Sequence, residues 1–347
     1  MSDSELQRSL LLYVTFLVGV IVTFGYTTDD AFIPLRYAAN LAHGYGLVFN
    51  PGQRVEGFTS PAGVVVALVS YVTPGGYALF KMKLFSVLFG LLAVREGARI
   101  LQVLDLPLGV DRVALVTIGL SPVIAFGSAN GLETSLEMWL LAAIASRLMR
   151  VDANVRNDYA VAAFAFAAVL TRLDAIVPLS AMALASLADG GPSRPWRRAR
   201  WFLGGVVGSA LSTLVAFAYY RSWFPNTFYA KRPPLRDALR AGFGYVKWLL
   251  QPSGIDPLRS HPAIPELVSW IEIALAIAGC VWIIRHFPRA AFLVTLCAGQ
   301  AAFAVVAGGD WMAGGRFLAP AAVEFIVVEA AGVALLVRVA VVLAGPR

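Results

Sequence analysis

Charge is scarce in this sequence. Asp, Glu, Lys and Arg make up 14% of the 347 residues, against about 25% in soluble domains. With 59% hydrophobic residues and a mean hydropathy of +0.72, this excludes an ordinary water-soluble globule, whose single core could not hide so much apolar surface. Cysteine is nearly absent. Cys280 and Cys297 lie inside apolar runs, which argues for buried thiols and against a disulfide framework or a thiolate metal site. His43, His261 and His286 lie far apart, without ligand spacing. The chain contains no low-complexity tract and no clear internal repeat.

Long apolar runs fill most of what remains: 9–26, 61–79, 84–104, 112–127, 133–149, 159–171, 174–188, 201–221, 267–285, 289–307 and 317–343. About 20 helical residues cross a bilayer, and only a helix satisfies its own backbone polar groups there. The fold class expected is all-α, a polytopic integral membrane protein occupying residues 1–347 as one domain. The run 9–26 lacks a small-residue cleavage site and reads as a retained anchor rather than a signal peptide. The net charge of +7 is read through the positive-inside rule and attraction to anionic headgroups, not as nucleic-acid binding.

Orientation follows from the short basic connections. Residues 194–200 carry four arginines, 285–289 two more, and Arg147, Arg150 and Arg156 flank another. Placing these in the cytoplasm puts both termini there and the polar stretches 27–60 and 222–266 outside. Two inside termini require an even number of crossings, whereas eleven runs were counted. The run 61–79 is interrupted by Pro74-Gly75-Gly76, which breaks a helix, and is therefore expected to lie along the outer face. About ten spanning helices result, with a first outer loop at 27–80 and a second at 222–266. Residues 159–188 read as a hairpin of two short helices whose T-R-L-D tip (171–174) reaches the outer side.

Five polar clusters then share the outer side. In the first, Asp29 and Asp30 follow the first helix directly. Like charges this close raise at least one pKa, which strengthens a carboxylate as a proton acceptor and suits a general base; capping a helix over 32–42 is an equal alternative for one of the two. Arg36 lies nearly two turns on, able to face either the site or one of these acids as a salt bridge. Glycines 44, 46, 52 and 57 with Pro51 build an ordered loop, in which Arg54 and Glu56 share a face if the chain is extended. The second cluster holds Glu133 at a helix start, where an acid also suits the macrodipole. The third is Arg172 with Asp174, a charged pair expensive near lipid and so either functional or internally paired. The fourth, residues 223–232, sets Asn226, Tyr229 and Lys231 among aromatics that would also suit an interfacial belt. The fifth, 308–317, surrounds Asp310, Trp311 and Arg316 with four glycines that allow close backbone approach to a ligand.

A channel would repeat charges inside its spans, and a secondary transporter would show inverted repeats with polar groups at mid-membrane. Acids and bases gathered at helix ends fit an enzyme at the outer leaflet better. Arginines and Lys231 suit a phosphate or pyrophosphate headgroup, an aspartate suits removal of a hydroxyl proton, and aromatic faces suit sugar. Glycosyl transfer from a lipid-phosphate sugar unites these. A transporter or flippase of lipid-linked sugar, and a non-catalytic partner of a larger glycosyltransferase, are the alternatives. Paired acids are able to hold Mg²⁺ or Mn²⁺, and no full ligand set is evident.

The segment D-D-A-F-I-P-L-R-Y-A-A-N-L-A-H-G-Y-G-L-V-F-N-P-G-Q-R-V-E-G-F-T-S-P (29–61) resembles the first outer loop of membrane-embedded GT-C glycosyltransferases, above all the branch of mycobacterial terminal arabinofuranosyltransferases. G-L-E-T (131–134), L-T-R-L-D (170–174), P-N-T-F-Y-A-K (225–231) and G-G-D-W-M-A-G-G-R-F (308–317) are similar to further motifs of that branch and follow in the same order. The resemblance implies a GT-C-like fold with membrane-parallel helices in the first outer loop. It also implies a bacterial plasma-membrane location, a polyprenyl-phosphate sugar donor, and a glycan or lipid acceptor on the extracytoplasmic side. It makes Asp29 or Asp30 the catalytic base and Arg36, Arg172, Lys231 and Arg316 candidates for the donor phosphate. Glu56, Glu133, Asn226, Tyr229, Asp310 and Trp311 become candidates for sugar or acceptor contacts. Two departures stand out: the branch carries a soluble domain after its last helices, and Ala62-Gly63 stand where a large residue often follows the T-S-P segment.

Overall fold

The computed structural model describes residues 3–150, 155–188, 199–230, 234–249, 263–310, 312 and 314–344. Lys231 and Trp311 lie outside the described residues. Among those described there is no strand, and the chain is an all-α polytopic membrane protein. The helices are α1 (Asp3–Thr23), α2 (Phe32–Ala42), α3 (Pro61–Val72), α4 (Ala78–Leu104), α5 (Leu108–Leu120), α6 (Pro122–Ala129), α7 (Thr134–Met149), α8 (Val155–Thr171), α9 (Ile176–Ala188), α10 (Phe202–Tyr220), α11 (Asn226–Ala230), α12 (Leu235–Leu249), α13 (Ala263–His286), α14 (Ala291–Ala307) and α15 (Ala322–Ala344).

Every apolar run read from the sequence is helical over most of its length. Four stretches are long and apolar enough to cross a membrane by length and composition alone: Asp3–Thr23, Leu108–Ala129, Phe202–Tyr220 and Ala319–Ala344. The second is broken at Ser121, whose side chain caps α6 with Pro122 at its first position, the placement in which proline's missing N–H costs nothing. The run 61–79 ends as a helix at Val72, because Gly75 and Gly76 take positive φ angles that side-chain-bearing residues disfavour. Its 12 residues span about 18 Å, short of the roughly 30 Å hydrocarbon core.

α7 is the central helix. All its residues from Leu140 to Ser146 are buried, and it packs along α4, with α8 on another side. A helix apolar all round belongs in such a position. α1 and α10 are the opposite case, exposing Ile21, Val22, Leu203 and Val215 as lipid-facing helices do. Two lysines at the start of α4 finish other helices. Lys83 Nζ donates to Phe24 O and Tyr26 O, both at 2.7 Å, and Lys81 Nζ donates to Thr73 O at 2.7 Å. They satisfy carbonyls that the ends of α1 and α3 leave without partners.

The stretch 222–266, expected as a second outer loop, is partly helical. It contains α12, strongly amphipathic, which buries Ala238 and Tyr245 against α14 and exposes Leu235 and Phe243. Its apolar residues are too interrupted by charge to register as a run.

α13 and α15 approach closely through glycines. A Cβ on Gly332 would stand 2.1 Å from Leu275 O, and one on Gly279 would stand 1.8 Å from Val328 O. Such clashes fall on backbone and cannot be relieved by a rotamer, so the helices would have to separate. Gly332→Ala is therefore expected to lower the thermal midpoint of the full chain in detergent by several degrees. Gly109→Ala, whose methyl meets open space, should leave it within about one degree. Equal behaviour of the two variants would refute the close α13–α15 contact.

Candidate active site

Four of the five polar clusters meet in one ion-pair network. Glu133, at the start of α7, is 4% exposed in its side chain, and its Oε1 accepts from two guanidiniums. Arg172 Nη1 donates from 3.2 Å and Arg316 Nη2 from 3.1 Å. Arg316 Nη1 reaches Asp30 Oδ2 at 3.2 Å. Arg172 also holds Asp174, through Nη2 at 3.1 Å and Nε at 3.2 Å, and its Nε lies 3.5 Å from Glu137 Oε2. Residues 286 positions apart in sequence are thus joined through one carboxylate.

The local folding explains why these side chains converge. α8 ends at Thr171, and a short 3-10 turn over Leu173–Ala175 starts α9, so the hairpin tip projects Arg172 towards the start of α7. Gly314 and Gly315 take positive φ, turning the chain just before Arg316. Gly63 explains the small residues after the T-S-P segment: a Cβ there would meet Ser60 Oγ at 2.8 Å and approach Glu133 Oε2 to 3.6 Å. A large side chain would press on the network's central acid.

The two adjacent aspartates part company. Asp30 is the partner of Arg316, while Asp29 is exposed and, among the described residues, its Oδ1 accepts only from the Asp30 N–H, at 2.9 Å. Neither caps a helix: the turn at 29–31 begins at Thr28 and α2 at Ala31, both without side-chain caps. Glu133 likewise makes no capping hydrogen bond. Arg172 satisfies both readings of its cluster, pairing with Asp174 and with Glu133.

Other expected site residues stand apart. Arg36 is exposed and donates its Nε to Phe49 O at 3.2 Å. Together with Asn40, which donates to Val48 O and Phe49 O, it ties down the glycine-rich loop rather than pairing with an acid. Asn226 is exposed, and its backbone N–H bonds Glu56 O at 2.8 Å, which fastens the fourth cluster to the first. Tyr229 is half exposed. Asp310 Oδ2 is buried without a hydrogen-bond partner. Arg54 and Glu56 do not share an environment: Arg54 is exposed over the Tyr219 ring, 5.1 Å from its centroid, and Glu56 is buried.

Glu137 was missed. It is fully buried, one helical turn after Glu133 on the same face, and neither carboxyl oxygen makes a hydrogen bond. The signal was a lone acid within an apolar run. Four carboxyls therefore surround two guanidiniums. Among the described residues, no three His, Cys, Asp or Glu side chains form a group able to hold a metal ion. A narrow crevice of about 10 Å³, lined by Val66, Met82, Phe85, Phe89 and Leu136, leads to Glu133; it has room for a single water.

No family model and no curated protein matches the chain. Solved structures do share its fold. ArnT from Cupriavidus metallidurans in the apo state aligns with a TM-score of 0.61 at 16% identity, over 96% of this chain and 60% of that one. ArnT from the same organism bound to undecaprenyl phosphate aligns with a TM-score of 0.57 at 17% identity, over 96% and 63%. The chain thus spans about three fifths of the length of the ArnT structures it matches.

Burial raises the Glu56 carboxyl from 4.5 to about 7. The folded state therefore holds this proton more tightly than the unfolded chain. Its stabilising effect is complete below pH 4.5 and is lost as pH rises to about 7, after which it stays flat. Glu56→Gln should flatten that part of the stability profile, measured by thermal unfolding of the full chain between pH 5 and 8. A variant with the parent's slope would show that Glu56 does not titrate there.

Proposed function

We propose that the chain is a membrane glycosyltransferase of GT-C type, moving a sugar from a polyprenyl-phosphate carrier to a hydroxyl of a cell-envelope glycan or lipid. One observation carries this reading. Asp30, Glu133, Arg172 with Asp174, and Arg316 come from four separate segments and join in one buried acid–base network, in a fold shared with ArnT. The polyprenyl-phosphate donor is supported by the ArnT structure that holds undecaprenyl phosphate. Arabinofuranose as the transferred sugar, and an extracytoplasmic site with both termini cytoplasmic, rest on the five ordered motifs and the basic connections.

In this mechanism the acceptor hydroxyl oxygen attacks the anomeric carbon. The bond from that carbon to the phosphate oxygen breaks, and the phosphate leaves with the electron pair. The hydroxyl proton passes to a carboxylate. We assign that base to Asp29, because it is exposed and forms no ion pair among the described residues, whereas Asp30 positions Arg316. Arg316, with Lys231 and Arg36, neutralises the leaving phosphate. Arg172, covered by three carboxyls, is reassigned from phosphate binding to holding Glu133 and the hairpin tip in register. Tyr229 and Trp311 offer ring faces to a sugar, while Glu56, Asn226 and Asp310 shape the surrounding loops.

The test is transfer from synthetic polyprenyl-phosphoryl arabinose, or another sugar in the same linkage, by the purified full chain. Asp29→Asn should lower kcat by about 10²-fold or more with the donor KM unchanged. Asp30→Asn should chiefly raise the donor KM, because it frees Arg316 from its fixed position. If both variants retain full transfer, neither aspartate is the base, and the mechanism is wrong.

A further inference from the structure

At the end of the helix bundle opposite the acid–base network, the start of α1 and the end of α4 enclose a cavity of about 230 Å³. Arg8 from α1 and Arg95 and Arg99 from α4 line it, opposed among the lining residues by Glu5. These arginines are not equally engaged. Arg8 Nη1 pairs with the buried Asp111 at 2.7 Å, but its Nη2 is buried without a hydrogen-bond partner. Arg99 gives Nη1 to Glu96. Arg95 is exposed and forms no ion pair among the described residues. Tyr13 and Gln102 add neutral hydrogen-bonding groups to the wall.

Basic residues at this end of a membrane protein are expected from the positive-inside rule alone. That rule does not require three guanidiniums to line one cavity with Glu5 as the one acid among the lining residues. An anion with several oxygens would accept from the exposed guanidinium of Arg95. Arginine's planar fork suits phosphate oxygens in particular. The volume lies below the roughly 300–1,000 Å³ typical of drug-sized ligands, which fits a single phosphoryl group with its immediate substituent.

We infer that this cavity is an anion site for a phosphate ester, separate from the proposed active site. Arg95 supplies the open donors, and Arg8 and Arg99, each already paired with a carboxylate, line the wall beside it. Two sources share this chemistry: the headgroup of an anionic phospholipid and a soluble phosphate.

The experiment is thermal unfolding of the full chain in two settings. One is detergent titrated with inorganic phosphate against chloride at constant ionic strength. The other is phosphatidylcholine nanodiscs with and without phosphatidylglycerol. At least one anion should raise the midpoint by several degrees. Stabilisation by inorganic phosphate identifies the soluble source; stabilisation by phosphatidylglycerol alone identifies the headgroup. Arg95→Gln removes an exposed, unpaired side chain and should fold normally, yet weaken the apparent affinity about tenfold. Arg285→Gln, at a basic helix end outside the cavity, should leave the response unchanged. No stabilisation in either setting would overturn the inference. So would an Arg95→Gln response equal to the parent's, or an Arg285→Gln loss as large as that of Arg95→Gln, which would mark a diffuse surface attraction.

Discussion

One oxygen of Glu133 accepts from both Arg172 and Arg316, and the geometry of the candidate site depends on that shared contact. Two guanidiniums converging on one acid repel each other unless the acid stays charged, and the acid stays charged in a buried position only because both are there. Removing one member of such a group leaves the others buried with one partner fewer; breaking a buried pair outright typically costs about 3–5 kcal/mol, and the remaining partners here reduce that figure. Because the three residues belong to the start of α7, the α8–α9 tip and the segment before α15, the contact is also a tertiary junction. It fixes Asp30 through Arg316 and thereby sets the orientation of the Asp29–Asp30 pair.

The rest of the fold serves that junction. α7 is buried among apolar neighbours along its middle and carries Glu133 and Glu137 at one end, so the network stands on the most constrained helix of the bundle. Lys83 ties the end of α1 to α4, which holds the following aspartates near Glu133. Around this rigid centre lie exposed groups with fewer contacts: Asp29, Arg36, Asn226 and Tyr229. A buried network that positions, with an exposed rim free to meet a substrate, is the division between support and chemistry that the proposed mechanism requires.

Much of this was legible in the sequence. Apolar length predicted the helices, and Pro74-Gly75-Gly76 predicted the end of α3. The five polar clusters marked the region from which the network is built. What stayed hidden depends on side-chain direction. Asp29 and Asp30 are neighbours with the same chemistry, and only the turn that follows α1 decides which of them meets Arg316. Arg36 carries the right charge but faces the loop carbonyl of Phe49. Glu137 is one acid in an apolar run, and its role becomes visible only when the α8–α9 tip brings Arg172 against it. α12 escaped because its apolar residues are interrupted by Arg236, Asp237, Arg240 and Lys247.

A double-mutant cycle on Glu133 and Arg316 measures the shared contact most directly. Unfolding free energies of the parent, Glu133→Gln, Arg316→Met and the double variant would be compared in mixed micelles of increasing SDS. The account predicts that the double variant is destabilised by less than the sum of the single variants, with a coupling of about 1 kcal/mol or more. Additivity within about 0.5 kcal/mol would mean that the two residues act independently, and that Glu133 is not the centre of the site.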